Sequence, residues 1–417
     1  VRLSRGGAAI ADQGFSSGAT FFASVAVAAR LPVEEHGRFG FALALLGLLL
    51  QLHGATVVDP ALMHARGRFR DRAAAHQASV WRLHGRFLAL AMGPLLALAL
   101  GGLVLGSASV DVLVALLVVA PVSLSLHLGR RLDVAVLRPE RAAQRSGAFA
   151  LAALGGLAAL DLAGRLGAAT ALLALGAGAA IVLLADLRRL RPTAAAGGVF
   201  EEVLAAHRDH AGWGVGSSLA SWVPRHGLYV LLPAVAGAAG YRAAGILRTH
   251  MLLMLPMMIA LAALASMQVS VFAQRRAEGQ RLSLGPAIAG AVGGSALYGA
   301  LVVLGGGTLI GMTETPSTSS WRLLVALTGV LFAAPTVLSA ALLARAQSRA
   351  YFAAWAAGAV ALGAAAGPLL RVDLTLGAFL LLPVSYGATL LALAVAVRRA
   401  VNVPGGGRPR PSPRSSG

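Results

Sequence analysis

The sequence predicts an all-α, polytopic integral membrane protein: about twelve transmembrane helices in two six-helix lobes related by a pseudo-two-fold axis along the membrane normal. Three observations carry this expectation. Of the 417 residues, 57% are hydrophobic and only 12% charged, with a mean hydropathy of +0.76, and a soluble domain of that composition would have an apolar surface. Apolar windows of about 20 residues, long enough to cross hydrocarbon as a helix, recur along the chain. The connecting segments alternate between arginine-rich and arginine-poor, the pattern that orients membrane spans.

In the first half the windows fall at 8–29, 39–62, 84–106, 112–129, 146–162 and 166–186. In the second half they fall at 215–238, 246–272, 285–310, 322–344, 350–370 and 374–397. The fourth helix is free to run on through Arg130 and Arg131. Arginines crowd the segments around 66–86, 130–145, 188–208, 275–281 and 345–349, whereas 106–111, 161–165, 311–320 and 371–373 are short and poor in them. Placing the arginine-rich set in the cytoplasm puts both termini there and requires an even number of spans, which twelve satisfies. VRLSRGG at the start reads as the basic flank of the first span rather than a cleavable signal.

These spans divide the chain into an N-terminal lobe (1–187), a cytoplasmic linker with a short amphipathic helix (188–212), a C-terminal lobe (213–398) and a disordered Pro/Gly/Ser-rich tail (399–417). In the linker, Phe200, Val203 and Leu204 share one side. Segment 66–87 alternates basic and apolar groups and reads either as an interfacial helix on the inner leaflet or as plain loop. A weak repeat supports the two lobes: VAVAARLPVEEHGRFGFALALL and VLLPAVAGAAGYRAAGILRTHMLL each join two helices through a small-residue turn bearing an arginine (Arg38, Arg242), six spans apart.

Residue types exclude several chemistries. The 35 basic residues are all arginine, so a Walker A lysine and a Schiff-base lysine are absent. Transport, if any, is then passive, ion-coupled or partner-driven. There is no cysteine, which removes disulfides, thiolate metal sites and thiol nucleophiles. The histidines form no compact ligand spacing; His207 and His210 in a polar loop are a weak pair. No cofactor or metal is expected. The net charge of +19 reads as cytoplasmic loops beside anionic membrane lipids, not as a nucleic-acid surface.

Arg225 and Arg248 interrupt stretches that otherwise read as spans, at a cost of roughly 2.5–3.5 kcal/mol each on insertion scales. Such a residue faces a wet cavity holding an anion, for which the guanidinium fork suits phosphate, or it snorkels or pairs between helices. Further polar residues within spans are Asp12, Gln13, Ser16, Ser17 and Thr20 in the first, Gln51, His53 and Asp59 in the second, His226 in the seventh and His250 in the eighth. Serine and threonine here also serve close helix packing, and His53 reads as a proton-coupling or bundle-facing group. The first half offers no deep arginine, since Arg30 and Arg38 fall at the outer edge.

Three stretches resemble the bacterial polysaccharide/oligosaccharide flippases (O-antigen and teichoic acid export type) of the MOP (multidrug/oligosaccharidyl-lipid/polysaccharide) superfamily. They are ADQGFSSGATFFASVAVAARLPVEEHGRFGFALAL (11–45), Asp59-Pro60-Ala61-Leu62, and AAGILRTHMLLMLPMMIALAAL (243–264) with Gly245, Arg248 and Pro256. The resemblance implies alternating-access translocation of a polyprenyl-pyrophosphate-linked oligosaccharide across the bacterial cytoplasmic membrane, with spans one, two, seven and eight lining the portal. It also implies partnership with the polymerase or glycosyltransferases of one polysaccharide pathway. On this reading Arg225 and Arg248 contact pyrophosphate, while Asp12, Gln13, Gln51 and His53 line the cavity. The alternatives are an ion-coupled drug or metabolite antiporter of the same superfamily, a membrane glycan polymerase or ligase, and a scaffold that binds lipid-linked glycan without moving it. An antiporter needs embedded carboxylates, for which Asp12 and Asp59 qualify; an enzyme needs larger extracytoplasmic loops than the roughly ten-residue GMTETPSTSS.

Overall fold

The computed structural model describes residues 5–65, 68–135, 138–186, 197–278, 280, 284–313, 315–345 and 347–402. Among these residues the chain is helical, with α1 at Arg5–Arg30 and α2 at Val33–His53 continuing through a π-turn, Gly54–Val58, into Asp59–Ala65. Next come α3 (Ala73–Val104), α4 (Val110–Ala135), α5 (Pro139–Leu162) and α6 (Ala168–Asp186). The helix α7 runs from Gly197–Trp222 through a second π-turn, Val223–Gly227, to residue 236. There Gly237 takes φ 54°, reverses the chain and starts α8 (238–277). A side chain at that φ would be strained, so glycine permits this two-helix corner. Helices α9 (Gly285–Ile310), α10 (Ser319–Ala344), α11 (Ser348–Val372) and α12 (Leu374–Asn402) complete the set.

Ten of the helical stretches are long and apolar enough to cross a membrane, and the one at Ala211–Ala265 divides at Gly237 into two. Helix α1 adds a polar twelfth. The surface is apolar where lipid would lie: Leu98, Leu100, Leu103 and Val104 on α3 and Leu297, Leu301 and Leu304 on α9 are exposed. Helices α4 and α10 are the most enclosed.

Packing falls into two lobes. One core joins α1 to α6 through residues such as Val27, Phe39, Leu116, Val119 and Leu172. A second joins α7 to α12 through Leu232, Leu247, Phe332, Trp355, Phe379 and Tyr386. Neighbour relations repeat between them: α1 on α5 and α7 on α11, α2 on α4 and α8 on α10, α4 on α6 and α10 on α12. Helix α2 is the seam, since its Val33 and Ala44 belong to the second core and the indole of Trp222 donates to the Ala44 carbonyl at 2.9 Å.

At the short-loop end the seam is close enough to exclude side chains. A Cβ on Gly37 would stand 1.8 Å from the Tyr241 carbonyl oxygen, and one on Gly245 would stand 1.9 Å from that of Val33. In lipid there is no hydrophobic drive between helices, so small residues that admit backbone contact supply the attraction. The His36 ring bonds Thr249 at 2.9 Å, Arg242 pairs with Glu34 at 3.2 Å, and Arg38 bridges Glu35 and Asp111.

At the arginine-rich end the helices outrun the apolar windows. Segment 66–87, expected as an interfacial helix or loop, is from residue 73 onward the direct continuation of α3. Phe69 tucks beneath it against His76, fully buried, so its apolar groups face protein rather than an inner leaflet. The amphipathic part of the linker likewise continues into α7, with Phe200 and Val203 buried against Val57, Val80, Leu83 and Leu128. Arg82 and Arg86 lie over the Phe200 ring, and Arg72 grips Glu202 at 2.8 and 3.0 Å, holding that carboxyl below its ordinary pKa through the hydrogen bond. The linker residues 187–196 and the tail 403–417 lie outside the described residues.

Gly37→Ala should therefore lower the midpoint of thermal unfolding in detergent, since overpacking at a rigid contact costs about 1–3 kcal/mol. Gly14→Ala, where nothing lies within 4 Å, should leave it unchanged or raised. Equal midpoints for the two variants would remove the seam from its structural role.

Candidate functional site: an arginine-lined cavity between the lobes

A cavity of about 350 Å³ lies between the lobes, past the Gly37–Gly245 contact. Its walls are Ser16 and Thr20 of α1, Gly47 of α2, Ser123, His127 and Arg130 of α4, Arg225, His226 and Tyr229 of α7, and Arg248 with Met251, Leu255 and Met258 of α8. No aspartate or glutamate lines it. Three guanidinium groups reach it, one from the first lobe and two from the second.

Arg225 sits in the π-turn of α7. Pro224 has no N–H to offer the helical ladder, and the widened turn accommodates that gap. The guanidinium is held by aromatic faces, 4.6 Å from the Trp355 centroid and 5.7 Å from that of Phe332. Such faces attract a cation without neutralising it. Arg248 passes its stem over Gly40, where a Cβ would stand 2.8 Å from its Cδ. It donates to Ser24 Oγ at 2.9 Å and lies 5.6 Å from the Tyr229 centroid. The Nε of each is buried without a hydrogen-bond partner, and neither guanidinium has a carboxylate partner among the described residues. Both residues line the cavity.

Arg130 differs. Its Nε donates to Asp12 Oδ1 at 2.9 Å, its Nη1 donates to Ser16 Oγ at 2.6 Å, and Ser146 Oγ donates to the same Asp12 oxygen at 2.5 Å. Asp12 thus ties α1, α4 and α5 together from behind the wall, and the pair is neutral as a unit.

Of the residues singled out from sequence, Arg225 and Arg248 line the cavity, while Asp12, Gln13, Gln51 and His53 do not. Gln13 is on the exposed side of α1, donating to Ser17 at 2.8 Å. The side-chain oxygen of Gln51 accepts from Ser221 at 3.4 Å in the α2–α7 seam. His53 is buried inside the first lobe against His84, 3.0 Å away. His250 is also buried, bonded to the Ile246 carbonyl and to Ser317 and edge-on to Trp321 and Phe379.

The expectation that the first half lacks a deep arginine is corrected by Arg130. An Arg–Arg pair closing an apolar window reads as a cytoplasmic flank, but α4 continues helically to Ala135. Ser123, Leu126, His127 and Arg130 follow helical spacing on one face of α4, and extending that face past the window finds Arg130. Tyr229 and the methionines of α8 carried no such signal.

No protein-family model matches the chain, and neither does any curated relative. Solved structures do. The chain is similar to a multidrug resistance MATE family transporter of the MOP superfamily, in its inward-facing conformation at 16% identity and in an outward-facing one at 14%, each with TM-score 0.65 and at least 96% of both chains covered. It is also similar, at 14% identity and TM-score 0.66 over 95% of this chain and 96% of the other, to a MOP superfamily transporter from Pyrococcus furiosus described as having a binding pocket of reverse polarity that suggests a different function. The fold is thus the two-lobed helical fold of those transporters. At such identities the likeness is one of fold alone.

Because one partner left alone in a buried pair is costly, Arg130→Met should destabilise the protein by about 3 kcal/mol or more. Adding Asp12→Asn to it should recover most of that loss. Unfolding in mixed micelles across the double-mutant cycle checks this; additive single effects would mean that the pair is not coupled.

Proposed function

We propose that the chain is an alternating-access transporter that flips a polyprenyl-pyrophosphate-linked oligosaccharide across the bacterial cytoplasmic membrane, its arginine-rich end in the cytoplasm. The observation that carries this reading is the charge of the cavity wall: two arginines without a carboxylate partner among the described residues, in a wall that holds no carboxylate. An anion at the cavity replaces its lost hydration with fixed donors, and guanidinium binds phosphate oxygens in a bidentate fork. Serine, threonine and histidine in the same wall offer hydrogen bonds to sugar hydroxyls, and the prenyl chain stays in lipid. Partners on this reading are the polymerase or glycosyltransferases of the same polysaccharide pathway.

A second reading, an ion-coupled multidrug or metabolite antiporter, is favoured by the likeness to MATE transporters over nearly the whole chain. Against it stands Asp12, whose carboxylate is occupied by Arg130 and Ser146 and lies off the cavity. A pocket of reversed polarity in the Pyrococcus furiosus protein is a precedent for one fold holding pockets of different charge.

The test is transfer of a fluorescent prenyl-pyrophosphate oligosaccharide between leaflets of reconstituted vesicles. Arg248→Ala and Arg225→Ala should each cut the rate by about tenfold or more, as expected for loss of a charge-assisted contact. Arg248→Lys, a charge without the fork, should fall between wild type and alanine. Absence of transfer by the wild type, with gradient-driven efflux of drugs instead, would establish the antiporter reading.

A further inference from the structure

The cavity accounts for Arg130, Arg225 and Arg248 but leaves a buried histidine pair unexplained. His53 on α2 and His84 on α3 lie with Nε2 and Nδ1 3.0 Å apart, and His84 Nε2 lies 2.9 Å from Ser125 Oγ on α4. Ser125 fixes the protons of this chain. Its hydroxyl is 2.7 Å from the Pro121 carbonyl, which only accepts, so its one hydrogen goes there. Ser125 Oγ must then accept from His84 Nε2–H. A neutral His84 so protonated has a bare Nδ1, which accepts from His53 Nε2–H. What remains is the lone pair on His53 Nδ1, in a side chain with no exposed surface, and no group among the described residues donates to it.

We propose that His53 Nδ1 is a proton-binding site, and that its occupation biases the two lobes between conformations. A proton there makes an imidazolium with one N–H on His84 and the other without an acceptor. The surroundings do not compensate it: Phe87 and Trp81 enclose the pair, 5.1 Å from His53 and 5.4 Å from His84. The titratable and charged groups facing it are His84 on α3, His127 on α4 at 6.3 Å between centroids, Arg130 and Arg131 farther along α4, and His207 of α7 one turn along α2. All are neutral or positive. The proton is therefore accommodated when α2 shifts and brings water or an acceptor to Nδ1.

The backbone is built for that shift. The π-turn Gly54–Val58 follows His53 directly, and such turns are compliant points in a helix. Pro60 cannot donate to the Thr56 carbonyl, and His207 of α7 does so at 3.0 Å. The same turn of α2 thus touches the proton site on one side and the second lobe's leading helix on the other. Protonation adds one H⁺ to Nδ1 and deprotonation returns it, so the site serves as a coupling-ion site. The inference rests on the reading that this chain is a transporter with moving lobes, but not on the identity of its cargo.

The natural absence of cysteine makes the experiment direct. Spin labels at Glu140→Cys and Arg275→Cys, both exposed at the arginine-rich end of opposite lobes, report inter-lobe distance by double electron–electron resonance in nanodiscs. The wild type should show two populations whose ratio changes with pH, with a midpoint no higher than about pH 6.5, the ordinary value for imidazole. His53→Gln, whose amide can still donate to His84 but cannot take a proton, should abolish the change. Ser125→Ala frees His84 to swap tautomers and should move the midpoint by about half a pH unit or more without unfolding the lobe. A wild-type midpoint and amplitude in His53→Gln, a flat wild-type profile, or a response that follows His127→Gln or His207→Gln instead would each overturn the proposal. A pH response without transfer of glycan lipid would sink the cargo reading and keep the proton site; transfer with a flat response would do the reverse.

Discussion

Backbone contact between α2 and α8 at Gly37 and Gly245 governs the rest of the architecture. The two carbonyls involved, Tyr241 and Val33, approach closely enough that neither glycine has room for a Cβ. In a bilayer this kind of fit replaces the hydrophobic effect as the source of helix association. It pins the lobes at one end and leaves the cavity beyond it. It also sets where Arg248 stands, since that residue lies on the same helix three positions past Gly245, over Gly40 of α2. The ion pairs nearby, Arg242 with Glu34 and Arg38 with Glu35 and Asp111, rim this contact from opposite sides. The Arg242 pair is more than a third exposed on both sides and contributes little to stability; its value is in joining the lobes where the backbone already meets.

Charge inside the bundle is distributed unequally, and that asymmetry is the functional argument. Both lobes place arginine at the cavity. In the first, Asp12 neutralises Arg130 and accepts from Ser146 as well, making a three-helix junction. In the second, Arg225 and Arg248 rest on aromatic rings and one serine hydroxyl, which support a cation without cancelling it. An unneutralised guanidinium at membrane depth is expensive, and a protein retains two only where something negative compensates them. On the proposed reading, the compensation that the wall does not hold is supplied by the cargo.

Much of this was legible in the sequence for simple reasons. Helix number and the two lobes follow from windows of apolar residues and from arginine periodicity, both one-dimensional signals. Arg225 and Arg248 stood out because a charge in an apolar run is rare. Arg130 was hidden because it follows an apolar run at the position where a flanking arginine is ordinary; the sequence allowed α4 to run on through it, but only three-dimensional packing turns its side chain toward the cavity. The inward role given to Asp12, Gln13, Gln51 and His53 rested on their presence in the right spans. Which face of a helix meets a cavity depends on the crossing angles of its neighbours, and α1 and α2 carry polar residues on more than one face. The continuation of α3 and α7 beyond the membrane windows was obscured for a related reason: Phe69, Phe200 and Val203 look like interfacial residues until each has a protein partner.

On the transporter reading, energy coupling turns on which buried group can change its charge while the lobes move. A carboxylate is the familiar choice, but Asp12 is a poor one here. Removing its charge would strand Arg130, and both of its side-chain partners, Arg130 and Ser146, lie on helices of the same lobe. His53 also packs within the first lobe, against His84 and Phe87, but it differs in its free proton site and in the turn that follows it. Its protonation site is bare, its charged form has no partner in this conformation, and the turn of α2 that follows it is bonded to α7 of the other lobe through Thr56 and His207. A group coupled to motion must sit where motion changes its environment, and the proposed proton site lies one turn of α2 from its contact with α7.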